Sequence, residues 1–220
     1  MSATTYATTT RDGSRRTIDV SGLPTAAMDE KSPLWWGNLL LMFIETATLG
    51  IMLACYFYLK QNFEQWPPPK VDVYPPVLHP TPALGAATAD VVLMVLACLP
   101  MYWTDMAARR KDRGRTLIGL ALMLAVSLVT IWLRWKEFSA TRFWWNDNAY
   151  ASVFWTTLAI ALTYQIAAAA EFFIMGAWIA RHELDDKHAL DVTLAGGFWY
   201  WVAGTGVILY GVLFWGPRLL

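Results

Sequence analysis

Two glutamates fall inside long apolar runs of this chain: Glu45 within Leu34–Leu59 and Glu171 within Ala149–Ala180. A carboxyl at membrane depth costs roughly 2.5–3.5 kcal/mol on insertion scales. Two readings stand for each acid. One is a protonated group hydrogen-bonded to a neighbouring helix, since burial disfavours the charged form. The other is a group that handles protons or lipid. Glu45 lies about 11 residues into its run, close to mid-depth. Glu171 precedes Arg181 by about 10 residues, or roughly 15 Å of helix. The two acids are therefore expected at similar depth on antiparallel helices. Tyr164 and Gln165 lie one and a half to two turns away from Glu171 along the same run, and join the two acids in an expected polar seam.

Other polar side chains in or beside the runs read as structural. Asp90 lies near one end of its run, where water or a snorkelling partner could reach it, and Glu137 beside Trp135 and Lys136 reads as an exposed helix end. Pro100 removes a hydrogen bond to the Leu96 carbonyl and should bend its helix. A haem or copper centre within a membrane needs ligating side chains there, usually His. The three histidines, His79, His182 and His188, all fall in loops or at run ends. No Cys-x-x-Cys-His segment, glycine-rich phosphate cradle or Ser-His-Asp set is present. No catalytic residue, metal or redox cofactor is therefore expected in this polypeptide. Cys55 and Cys98 read as small buried hydrophobes.

The elements that must position these groups are continuous apolar runs: about 34–59, 83–106, 116–135, 149–180 and 192–215. Each is long enough to cross a bilayer as one helix, which takes about 20 residues. Continuous rather than alternating apolarity excludes barrel strands. The fold class expected is all-α, an integral membrane bundle of five transmembrane helices over 34–220 behind a polar tail, 1–33. The fourth run exceeds a core of roughly 30 Å and should tilt or project. The chain is 56% hydrophobic and 15% charged, against about 25% charged in soluble domains. Its formal net charge is zero, so it offers no basic surface to nucleic acid.

Charge asymmetry orients the bundle. Arg11, Arg15, Arg16 and Lys31 in the tail, Arg109, Arg110, Lys111, Arg113 and Arg115 in the second loop, and Arg181 and Lys187 in the fourth make 11 cations. Lys60, Lys70, Arg134, Lys136, Arg142 and Arg218 make 6 on the other side. The N-terminus is expected inside and the C-terminus outside. The first outer loop holds seven of the eleven prolines, Pro67 to Pro82, and should be stiff and extended. It is either a rigid connector or a docking surface. Gly197, Gly204 and Gly211, seven apart, share one helix face and with Ala167–Ala170 should admit close helix approach. Trp35-Trp36, Trp144-Trp145 and Trp199-Tyr200-Trp201 read as interface belts or packing groups.

In chain order, five segments resemble subunit III of the haem–copper cytochrome c oxidases. Phe43-Ile44-Glu45 is similar to the family's membrane-carboxylate segment, and Trp66-Pro67-Pro68 to its Trp-Pro-Pro loop. Trp135-Lys136-Glu137-Phe138 resembles the Glu-Tyr/Phe pair closing a span, and Tyr150-Ala151-Ser152-Val153-Phe154 the Tyr-Gly-Ser-x-Phe helix entry. Lys187-His188 with Phe198-Trp199-Tyr200-Trp201 resembles the Lys-His…Trp-Tyr-Trp approach to the last helix. The likeness spans about residues 34–217. Departures accompany it. Thr157–Tyr164 lacks the family's two histidines, Val202 and Thr205 stand where it has His and Asp, and Glu171 has no counterpart. The two N-terminal helices of the seven-span form are missing, as in five-span bacterial versions.

The resemblance implies a non-catalytic subunit of a terminal oxidase in a bacterial inner membrane, supporting aerobic electron transport and proton translocation. It implies haem and copper in partner subunits, bound phospholipid, and subunit I, subunit II and other small subunits as partners. Glu45 would then be a protonatable or lipid-facing group. The related accessory protein of nitric oxide reductases shares these motifs. A small transporter with Glu45, Glu171 and Gln165 lining a path is the reading of another class.

Overall fold

The structure, a computed structural model, describes residues 7–9, 15–17, 32–71 and 74–219. Two short strands, β1 (Ala7–Thr9) and β2 (Arg15–Thr17), pair antiparallel with Ala7 opposite Thr17. The remainder of the tail lies outside the described residues. From Pro33 onward the fold is helical: α1 (Pro33–Lys60), α2 (Leu84–Leu96), α3 (Cys98–Arg109), α4 (Arg113–Ser139), α5 (Ala149–Arg181), α6 (Asp186–Tyr210), a π-turn (Gly211–Trp215) and α7 (Gly216–Leu219). These form five helices long and apolar enough to cross a membrane, α2 with α3 and α6 with α7 each making one. The chain is a multi-pass membrane protein by this measure.

Helix starts follow local chemistry. Pro33 opens α1, a position where its missing N–H is not needed. Asp112, Asn148 and Asp185 cap α4, α5 and α6 by accepting the backbone N–H of Arg115, Ala151 and His188. Each such cap contributes about 0.5–2 kcal/mol. The second span breaks at Ala97, three residues before Pro100, as the missing proline N–H requires. At 33 residues, α5 is the longest unbroken helix; at 1.5 Å per residue it exceeds the hydrocarbon core by roughly 20 Å.

Helices α2 to α6 pack as a bundle in which α5 meets both α4 and α6. Large side chains fill its centre: Met94, Met101, Phe154, Phe172 and Trp199 are all buried. By contrast, α1 leans on α5 and α6 from outside. Only 11% of its most apolar window is buried, against 33–44% in the other spans. Cys55 is exposed on this helix and Cys98 half-buried, so neither is the buried hydrophobe the sequence suggests.

The close helix contacts use glycines other than the heptad-spaced set. A Cβ at Gly204 or Gly211 meets open space, and one at Gly197 only an ordinary contact with Asn38. That face of α6 points largely outward. Tight approach occurs at Gly119, where a Cβ collides with the Thr104 side chain, and at Gly206 and Gly196 against Met94 and Met101. The methionine ends can swing aside; the β-branched Thr104, its hydroxyl donating to the Pro100 carbonyl at 2.7 Å, has less room to do so.

Gly119→Ala is therefore expected to lower stability by about 1–3 kcal/mol. Gly204→Ala should leave stability unchanged or raise it by up to about 1 kcal/mol. Unfolding of the detergent-solubilised protein measures both.

Candidate functional site: polar groups within the bundle

The expected seam divides into three separate places. Tyr164 donates its hydroxyl to Glu45 Oε2 at 2.6 Å, joining α5 to α1. Two further bonds lie along α1. Trp201 Nε1–H donates to Thr46 Oγ1 at 2.8 Å, and Asn38 Nδ2–H to the Leu194 carbonyl at 3.1 Å. Tyr164 and Trp201 rings meet edge-on at 5.0 Å. Of the seam, Glu45 and Tyr164 thus come together, with Trp201 beside them.

Gln165 turns elsewhere. One residue further along a helix is about 100° round, and its amide enters the closed core between α2 and α4. Its Nε2 donates to Asp90 Oδ2 at 3.1 Å and Oδ1 at 3.3 Å, while Oε1 accepts from Arg134 Nε at 3.4 Å. Arg134 also reaches Asp90 through Nη2 at 2.7 Å and Glu137 through Nη1 at 2.6 Å. Asp90 and Gln165 are 0% exposed, Glu137 3% and Arg134 4%. Glu137 is thus not the exposed helix end expected of it. Asp90 is reached by a partner, Arg134, rather than by water, in keeping with its structural reading, and Arg134, counted above among the outer cations, is buried. Each is desolvated because its partner arrives from the same or a neighbouring helix, and a buried charge persists only when paired.

Glu171 joins neither group. Two turns separate it from Tyr164, so it stands level with Asn38, two turns before Glu45 on the antiparallel α1. Glu171 and Glu45 are thus not at one depth. Glu171, Asn38, Asp191, Ile174 and Met175 line a cavity of about 260 Å³ between α1, α5 and α6. Its Oε2 is enclosed without a hydrogen-bond partner.

The motif residues of the proline loop close one end of the bundle. Trp66 is buried with Pro67 and Pro68. Its indole N–H donates to the Tyr56 hydroxyl at 2.9 Å, and its ring lies 4.9 Å from that of Tyr150, which is fully buried. The loop folds back through paired Lys70 and Val77 backbone bonds, 2.8 and 2.9 Å. Lys70 is anchored by Asp147 at 2.6 Å. These contacts tie the base of the loop to the bundle. Trp199 is buried against Phe172 in the core, apart from the more exposed Trp201.

Burial pushes the Asp147 carboxyl up, but hydrogen bonds from Lys70 and the Trp144 N–H, with the Lys70 charge, outweigh it and hold it below the usual carboxylate range. The cap Asp185 is also held low, first by the His188 backbone N–H. Beside it, Trp178 stacks on His182 at 4.2 Å and on His188 at 5.1 Å. All three histidines lie in loops or at helix ends. Among the described residues no three His, Cys, Asp or Glu side chains gather as metal ligands.

Arg134 is the residue sequence reasoning missed. Its signal is the stripe Ser127, Thr130, Arg134, Glu137 on α4, spaced three and four apart and wholly buried. No protein-family model matches this chain, and no curated protein does either.

Arg134→Met leaves two enclosed carboxyls without their cation, and is expected to cost about 3–5 kcal/mol in detergent unfolding. The Asp147 contribution follows from its lowered folded value. It is present above the unfolded value of about pH 4, and is lost as pH falls through the folded one. Amide exchange at Lys70 and Val77 should therefore be slower in the natural chain than in Asp147→Asn at pH 6, with the difference shrinking as pH falls below the usual carboxylate range.

Proposed function

We propose that the chain is a non-catalytic, subunit III-like component of a haem–copper terminal oxidase, lying in a bacterial inner membrane with its N-terminus inside. In this reading subunit I and subunit II hold the haem and copper, other small subunits complete the complex, and phospholipid fills gaps between helices. The observation that carries the proposal is α1, whose apolar surface is left mostly uncovered by its own bundle. Lipid tails are as apolar as leucine, so exposure alone does not distinguish lipid from protein as the covering. Small residues favour a protein covering. Gly37, Ala47, Gly50 and Ala54 are exposed on α1 among larger apolar side chains, and a Cβ at either glycine meets open space. Such positions let another helix approach closely.

The resembling segments support the same reading by the work they do. The Glu45 segment fastens α1 to α5, and Trp66-Pro67-Pro68 with Tyr150 seals one end. In the proposed complex Glu45, with Tyr164 on one oxygen, is the group nearest lipid and partner. It sustains proton uptake and lipid retention rather than chemistry on oxygen.

Affinity purification of the tagged chain from its native membranes in mild detergent should bring down haem-containing oxidase subunits I and II. Nitric oxide reductase subunits in their place, or a solitary chain, would refute the assignment. In that complex Glu45→Gln is expected to reduce bound phospholipid and shorten activity during turnover. If lipid content, proton uptake and turnover lifetime all match the natural complex, Glu45 has a packing role only.

A further inference from the structure

The cluster at Arg134 contains one cation and two acids. Arg134 meets Asp90 Oδ2 through Nη2 and Glu137 Oε2 through Nη1. Gln165 supplies only a neutral amide, and the Met94 sulfur only a weak acceptor. Among the described residues no second Lys, Arg or His pairs with either acid. Lys136, next to Glu137 in sequence, stands over the Trp132 ring instead, and Arg218 is tied to the Phe214 and Pro82 carbonyls.

With both acids ionised, the enclosed group carries a net charge of minus one. Closed surroundings penalise an uncompensated charge heavily, and the usual remedy is neutralisation by a proton. The place for that proton is open, because Glu137 Oε1 is buried and has no hydrogen-bond partner. A neutral hydroxyl left unpaired there costs far less than a bare carboxylate oxygen. A bound divalent cation does not meet the same need. It takes about six or more oxygen ligands, whereas both Asp90 oxygens and Glu137 Oε2 are already engaged, leaving Glu137 Oε1 alone.

We infer that Asp90, Arg134 and Glu137 form an enclosed proton-binding site that holds one proton between the two carboxyls, seated at Glu137 Oε1. The site is independent of the Glu45–Tyr164 pair and of the oxidase assignment. Tyr164 and Gln165 are successive on α5, and they send their side chains to different helices.

Infrared difference spectra of the purified full chain at neutral pH test the site. Glu137→Gln should remove one protonated-carboxyl stretching band per molecule relative to the natural chain. Asp90→Asn should do the same, because the remaining Glu137 then ionises against Arg134. This equivalence is the signature of one shared proton. If either amide variant loses an ionised-carboxylate band instead, both acids were charged and the site is overturned. Circular dichroism reports folding. Each amide preserves shape and brings the total to zero, so both variants should fold. Should one fail, the spectrum of the other decides; failure of both contradicts a site that is neutral in total, and overturns it.

Discussion

The guanidinium of Arg134, held between Asp90 and Glu137, is the contact on which the arrangement of α2, α4 and α5 depends. In water such a triad contributes little, because solvent competes for every partner. Within a membrane the comparison changes. Removing Arg134 leaves carboxyls that neither lipid nor apolar side chains can solvate as charges. Three helices are thereby set in rotation and depth by one group: α2 must present Asp90, α5 must present Gln165, and α4 must bring Glu137 one turn after Arg134. Packing then fills the remaining space, with Gly119 against Thr104 and Met94 against Gly206.

The attachment of α1 is of a different kind. Asn38, Glu45 and Thr46 each share one hydrogen bond with α5 or α6, and none of these bonds involves a cation. Interhelical hydrogen bonds of this sort within membranes contribute roughly 0.6–2 kcal/mol each. Lipid supplies no hydrophobic force pressing α1 inward. The helix is therefore the least firmly held span, and the cavity beside Asn38 and Glu171 lies along its seam.

Much of the fold was legible in the residues because long apolar runs admit few alternatives in a bilayer. Spans one, two and four matched to within a few residues at either end. The last helix begins six residues earlier than its apolar run, since Asp186, Lys187 and His188 form a polar first turn behind the Asp185 cap. Hydropathy alone cannot register a helical turn that is polar. Polarity put Glu45 and Tyr164 in one expected seam, but the depth reading set Glu45 level with Glu171 instead of Tyr164; the bend at Pro100 was legible from the proline itself. The charged core was not, because Arg134 and Glu137 near the end of a run look like any interfacial charges. What separates them from Lys136 is direction around the helix. Both continue the buried stripe of Ser127 and Thr130, while Lys136 turns outward to Trp132. The heptad of glycines misled for the same reason: spacing defines a face, and only neighbours decide whether that face is packed.

Separating a charged core from a lightly held helix has a consequence for an accessory subunit of the proposed kind. The charged groups of the core pair with one another across α2, α4 and α5, with Glu137 Oε1 the exception. What a partner can influence is α1, whose outer face carries exposed glycine and alanine among bulky apolar side chains, and whose inner face carries the Glu45 hydrogen bond. In the proposed complex, a helix docking on the outside would bear on α1, and the groups against its inner face are Tyr164, Trp201 and the cavity beside Asn38. Any coupling between such a partner and the membrane carboxylate would then run through that one helix, with the Arg134 triad lying apart from it in α2, α4 and α5.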